Sequence, residues 1–143
     1  MGEAAVVLAL SWLTALTFYD VTQRRLPNAL TLPGAVAVLA GAAVEGRGQA
    51  ALLGALALAA SYLIVHLIVP AAMGAGDVKL ALGVGGLSGA FGVDAWVLAA
   101  VAAPLLTAAW GLVVLPRHGA RVTVPHGPSM CVATAAAVAL VIV

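Results

Sequence analysis

Charge is what this sequence has least of. Six Lys or Arg and five Asp or Glu are spread over 143 residues, 8% in all, where a soluble domain of this length carries about a quarter. A chain so poor in charge cannot cover a water-facing surface, so its natural solvent is lipid. The few cations form no basic patch, which argues against a nucleic-acid partner. Cys131 is the single cysteine and lies in an apolar run, which excludes a disulfide framework and a paired-cysteine metal site. No Lys or Arg precedes the first apolar stretch, which instead follows Glu3, and no Ala-x-Ala type cleavage site closes it. That stretch is therefore read as a retained span and not as a signal peptide.

Apolar residues fill the rest. They make up 64% of the chain, with a mean hydropathy of +1.18. Hydrophobic runs between short polar or Pro/Gly stretches predict six helices, Ala4–Tyr19, Ala29–Val44, Ala50–Val69, Val78–Gly92, Ala95–Leu115 and Pro128–Val143. The expected fold class is an all-α membrane protein, one bundle of six transmembrane helices forming a single domain over residues 1–143, without an internal repeat. Several runs are shorter than the ~20 residues that cross a bilayer, so their helices should extend into the flanks or meet a thinned membrane. Pro27 and Pro70 break helical hydrogen bonding, and Gly46 and Gly48 supply a turn. Pro33 and Pro104 fall inside spans and predict a first-turn adjustment and a kink. Gly85, Gly89 and Gly92 predict close helix approach. Arg24, Arg25, Lys79, Arg117 and Arg121 fall in the odd connections, and Arg47 alone falls on the other side. By the positive-inside rule the odd connections face the cytoplasm and both termini face away from it.

Three of the five acids, Glu3, Glu45 and Asp94, sit at expected non-cytoplasmic ends or turns. Asp20 and Asp77 sit on the opposite side, each beside a long apolar span. An ionisable group near membrane depth is a functional candidate by default. Asp20 has a structural alternative in an (i, i+4) ion pair with Arg24, although an acid at a helix C-terminus opposes the macrodipole. Asp77 has one as the N-cap of an apolar helix. A plain cap needs no Gly-x-Gly ahead of it, and two glycines permit unusual backbone angles and close approach of another segment. Together the pair supports acid–base chemistry: one carboxylate activates a water while the other, protonated, polarises a carbonyl. The helix ends favour the charged form at Asp77 and the protonated form at Asp20, with Arg24 pulling Asp20 the other way.

Asp20 followed by Leu26-Pro27-Asn28, then Gly74-Ala75-Gly76-Asp77-Val78-Lys79-Leu80, resembles the paired aspartate motifs of type IV prepilin peptidases. Pro125-His126-Gly127-Pro128 is similar to that family's late Pro-x-Gly-Pro stretch. The resemblance implies a GxGD-type intramembrane aspartyl protease in the cell membrane with its site toward the cytoplasm. Its substrate would be a prepilin or pseudopilin with a basic leader and an apolar helical stem. Asp20 and Asp77 would be the catalytic aspartates, supported by Pro27, Asn28, Gly74, Gly76 and Lys79. Longer family members carry cysteine pairs and also methylate the new N-terminus. Without such pairs, no methyltransferase activity, zinc, S-adenosylmethionine or other cofactor is expected. Presenilin-like proteases share Tyr19-Asp20 and the Gly-x-Gly-Asp, but their Pro-Ala-Leu signature is missing from this sequence.

Other residues carry plainer expectations. Pro27 and Asn28 also serve as helix stop and N-cap of the second span, Lys79 as an interfacial anchor, and Pro125–Pro128 as a rigid turn. His66 is read as a packed, hydrogen-bonded histidine, and His118 and His126 as part of a solvated loop. Trp12, Trp96 and Trp110 serve helix packing or the interface. Two other classes stay open at this point. One is a small proton- or ion-coupled transporter, disfavoured by the interfacial position of the aspartates and the missing repeat. The other is a structural subunit that would tolerate Asp77→Asn.

Overall fold

The computed structural model describes residues 2–118 and 123–142, without the side chains of residues 3 and 115–118. Six helices account for nearly all of it: α1 (Glu3–Gln23), α2 (Asn28–Val44), α3 (Gly48–Ile68), α4 (Ala75–Ala90), α5 (Val93–His118) and α6 (Gly127–Ile142). Among the described residues there is no strand. All six expected spans are present, with two displaced ends that matter for the site. α1 runs a full turn past Tyr19, so Asp20 lies within it and not at its end. α4 begins at Ala75 and takes Asp77 into its first turn. Three segments, Ala4–Gln23, Gly48–Ile68 and Val93–Val114, are long and apolar enough to cross a membrane. The outward-facing Leu8, Val36, Leu53, Leu67, Leu105 and Leu140 are exposed apolar residues of the kind lipid would cover.

Helix α4 is the centre of the bundle, packing on α2, α3, α5 and α6. Glycine makes this possible. A Cβ on Gly54 of α3 would lie 2.5 Å from the Gly85 carbonyl oxygen, and one on Gly85 would lie 2.7 Å from the Gly54 carbonyl. The α3–α4 backbones therefore touch directly, as the spacing of Gly85 and Gly89 predicts. Gly92 does something else. It has a φ of +109° with no atom near the position of a Cβ, so it serves the α4–α5 turn and not helix packing. Trp12 of α1 covers Gly34 of α2 and Gly83 of α4, and its indole N–H donates to the Leu30 carbonyl at 2.9 Å. Trp96 donates likewise to the Gly54 carbonyl at 2.9 Å. The helices run on through both Pro33 and Pro104.

The connections at residues 24–27 and 69–74 meet the segment 123–126 at one end of the bundle. There α1, α3 and α5 finish and α2, α4 and α6 begin.

Candidate active site

At that end, residues from four helices converge on Asp20 and Asp77. Asp20 is buried, 7% exposed. Its Oδ2 accepts the N–H of Gly127 at 3.0 Å. A helix begins with backbone donors that have no intrahelical acceptor, and Gly127 opens α6 with Pro128 behind it. The His126 carbonyl takes the Met130 N–H at 3.1 Å, so Asp20 receives a first-turn donor that α6 itself does not use. Asp77 is half-buried in the first turn of α4. Its Oδ2 accepts the Gly74 N–H at 3.3 Å while its own N–H donates to the Gly74 carbonyl at 3.1 Å. Asp77 is therefore not the N-cap: Gly74 holds that position, and the aspartate reaches back to it from the third helical position.

The two carboxyls interact electrostatically. They form a common wall between two cavities of about 390 and 380 Å³. The first is completed by Met73, Thr123, Pro125 and His126. The second is completed by Arg25, Pro27, Asn28, Gly76 and Lys79. All seven residues expected at the site thus lie together, although some act otherwise than expected. Pro27 is the residue before α2, its carbonyl accepting the N–H groups of Leu30 and Thr31, so Asn28 is not the cap. Asn28 instead uses Oδ1 to accept from Lys79 Nζ at 2.9 Å. Lys79 is thereby more than a membrane anchor: it joins α4 to the start of α2 beside the aspartates. The Gly-x-Gly pair has ordinary negative φ values. Gly76 supplies close approach, since a Cβ there would lie 3.3 Å from Leu26, whereas Gly74 has room for one.

Arg24 does not stand in a simple ion pair with Asp20. It takes a left-handed conformation at the end of α1 (φ 49°), and its Nη1 donates to the Thr123 carbonyl at 2.9 Å and to Thr123 Oγ1 at 2.7 Å. Its charge still reaches Asp20. Each aspartate accepts a backbone N–H from the start of a helix, so the helix ends do not set the two apart as expected. Those donors oppose the cost of burial on both carboxylates and the repulsion of Asp20 on Asp77.

Two histidines depart from and follow expectation, respectively. His126 is not in a solvated loop: it is half-buried, with Nε2 2.8 Å from Tyr62 Oη and Nδ1 2.6 Å from Thr107 Oγ1. Burial lowers its pKa from the usual 6.5. His66 is the hydrogen-bonded packing residue expected, donating from Nδ1 to the Met73 carbonyl at 2.7 Å and bracing the connection that carries Gly74. The side chains of Arg117, His118 and Arg121 lie outside the described residues. Among the described residues no group of three or more His, Cys, Asp or Glu is arranged to hold a metal ion.

Thr123, Tyr62 and Thr107 are residues that sequence reasoning missed, and in the sequence Gly127 reads only as part of a rigid turn. A Cβ on Gly127 would lie 2.5 Å from Asp20 Oδ2, so the Pro125–Pro128 turn also serves as the seat of a carboxylate.

Chemically, two carboxyls on one wall, in a pocket walled by apolar helices, favour sharing a proton. The ionised partner can take a proton from water and the protonated partner can give one to a carbonyl oxygen. The model of the type IV leader peptidase family matches residues 7–114, which include both aspartates. The 123–128 segment falls beyond that match. No curated protein and no solved structure gives a significant match.

Proposed function

The chain belongs to the type IV leader peptidase family, and from that premise we propose that it is an aspartyl endopeptidase that removes the basic leader from prepilin-like or pseudopilin substrates. The observation that carries this reading is the convergence of Asp20 and Asp77 on one wall between two cavities, each with a backbone N–H on its carboxyl.

In this reading a water is activated by the ionised aspartate and its oxygen adds to the scissile carbonyl carbon. The protonated aspartate gives its proton to the carbonyl oxygen as charge develops there. The first aspartate, now protonated, passes its proton to the leaving amine as the C–N bond breaks, while a hydroxyl of the gem-diol returns its proton to the second aspartate and leaves a carboxylic acid. Water, substrate and products then balance, and the pair ends with one proton, as it began. The two cavities accommodate chain on either side of the scissile bond, and the apolar stem of the substrate continues into the bilayer. Under the positive-inside rule, Arg24, Arg25 and Lys79 favour a site at the cytoplasmic face of the cell membrane.

The deciding experiment is cleavage of a co-expressed prepilin in membranes by the native chain, Asp20→Asn and Asp77→Asn. Each substitution keeps size and removes the acid. Leader removal by the native chain alone, with all three proteins equally inserted, is the expected result. Activity falls by at least about 10²-fold in each variant, since a general acid or base alone contributes about 10²–10⁴. Processing by both variants at native rates would make the aspartates structural.

A further inference from the structure

Asp20 is held by a backbone donor that belongs to a different segment, and that segment is fastened by side chains of three other helices. At its start, Arg24, just past the end of α1, grips Thr123 through two hydrogen bonds. Immediately before Gly127, His126 uses both ring nitrogens, one toward Tyr62 of α3 at 2.8 Å and one toward Thr107 of α5 at 2.6 Å. Tyr62 is buried, and its ring lies 5.5 Å from the imidazole at a tilt of 36°. The Thr107 hydroxyl has an acceptor for its own hydrogen in the Ala103 carbonyl at 3.1 Å. Its oxygen therefore takes the Nδ1 hydrogen of His126, which leaves Nε2 to accept from the Tyr62 hydroxyl. The ring is neutral in this arrangement, and every polar edge of it is used.

We propose that His126 is a positioning residue of the site: clamped between Tyr62 and Thr107, it fixes the peptide that presents the Gly127 N–H to Asp20. This rests on the aspartyl-protease reading given above. The clamp is needed because Gly127 has no side chain of its own to hold it, and the contact with Asp20 leaves no space for one. Without the ring contacts the His126–Gly127 peptide is held by the helix behind it and, three residues away, by the Arg24 grip on Thr123. A misplacement of about 1 Å at a reacting group is enough to reduce a rate by about 10²-fold. Asp20 and Arg24 of α1 and Asp77 of α4 share the cavity with His126, while Tyr62 and Thr107 face it from α3 and α5. An imidazolium would donate from both nitrogens, so the Tyr62 hydroxyl would have to turn its hydrogen away, and that side of the clamp would open.

The test uses the full chain in membranes with a prepilin substrate and separates kcat from KM. Native chain and Asp77→Asn serve as controls: if Asp77→Asn cleaves as well as the native chain, the aspartyl reading fails, independently of His126. With that control inactive, His126→Leu should lower kcat by about 100-fold with KM within about twofold. Gln places an amide where Nε2 lies and Asn places one where Nδ1 lies, so His126→Gln and His126→Asn should each recover at least about threefold over Leu. The double variant Tyr62→Phe/Thr107→Val removes both partners without touching the cavity wall, and should lower kcat by about 10-fold or more. A native kcat in that double variant overturns the proposal even if His126→Leu fails to insert. So does a rise in KM at constant kcat across the His126 series, which would make the ring a substrate contact.

Discussion

At the scale of single residues, the most constrained position in the site is a glycine and not an acid. The line from Gly127 to Asp20 is a backbone hydrogen bond of 3.0 Å, and a Cβ would intrude to 2.5 Å from the same carboxylate oxygen. Either the carboxyl or the start of α6 must move. Gly127→Ala should therefore lower kcat by about 100-fold while the protein still inserts, because the added methyl meets the Asp20 side chain and not packed backbone. Cleavage of a prepilin by equal amounts of inserted protein checks this. Gly74 offers the contrast. Its φ is ordinary and a Cβ there would meet the Asp77 carboxylate only at 3.5 Å. Gly74→Ala should leave activity within about threefold, a loss no larger than one ordinary hydrogen bond. The two glycines differ in what a Cβ would strike, which no motif pattern reveals.

At the scale of helices, the bundle is organised by where side chains are missing. Gly54, Gly85 and Gly89 let α3 and α4 meet backbone to backbone, and that contact fixes the depth of Asp77 at the head of α4. Overfilling such a contact costs about 1–3 kcal/mol. Gly54→Ala should therefore lower the midpoint of thermal unfolding in detergent, followed by Trp fluorescence. Gly41→Ala, where nothing lies within 4 Å of the new atom, should not lower it. Hydropathy made the six helices legible, because each apolar run ends at prolines, glycines or charges. It misplaced the start of α4 because Gly-Ala-Gly reads as a turn, whereas Gly74 caps the helix and the next two residues are already helical. The aspartates were legible as isolated acids at apolar boundaries. The clamp on Asp20 was not: Tyr62, Thr107 and His126 are 64 and 19 positions apart. Tyr62 and Thr107 read as ordinary members of apolar spans, and contacts across helices leave no local period to find.

At the scale of the whole molecule, long and short helices alternate. α1, α3 and α5 have 21, 21 and 26 residues, while α2, α4 and α6 have 17, 16 and 16. At 1.5 Å per residue the short set is roughly 24–26 Å long against a hydrocarbon core of ~30 Å. All three short helices begin at the aspartate end, so their positive N-terminal ends gather where two carboxylates are buried. Shortness and charge act together there, since a shortfall of roughly 5 Å gives water a way down to the pair. Which side of the membrane this recess faces follows from its cations. Arg24, Arg25 and Lys79 surround it, whereas the far end has Arg47, whose guanidinium sits 5.2 Å from the Phe91 ring centre. By the positive-inside rule we propose that the recess faces the cytoplasm. Single cysteines report this directly, because the native Cys131 is buried at 2% exposure and contributes little background. Gln49→Cys, exposed at the start of α3, should react with a membrane-impermeant thiol reagent added to intact spheroplasts. Ala71→Cys, exposed on the cavity beside Asp77, should react only after the membrane is opened. The reverse pattern would turn the site outward and remove cytoplasmic leader cleavage, because a leader not yet translocated would never reach it.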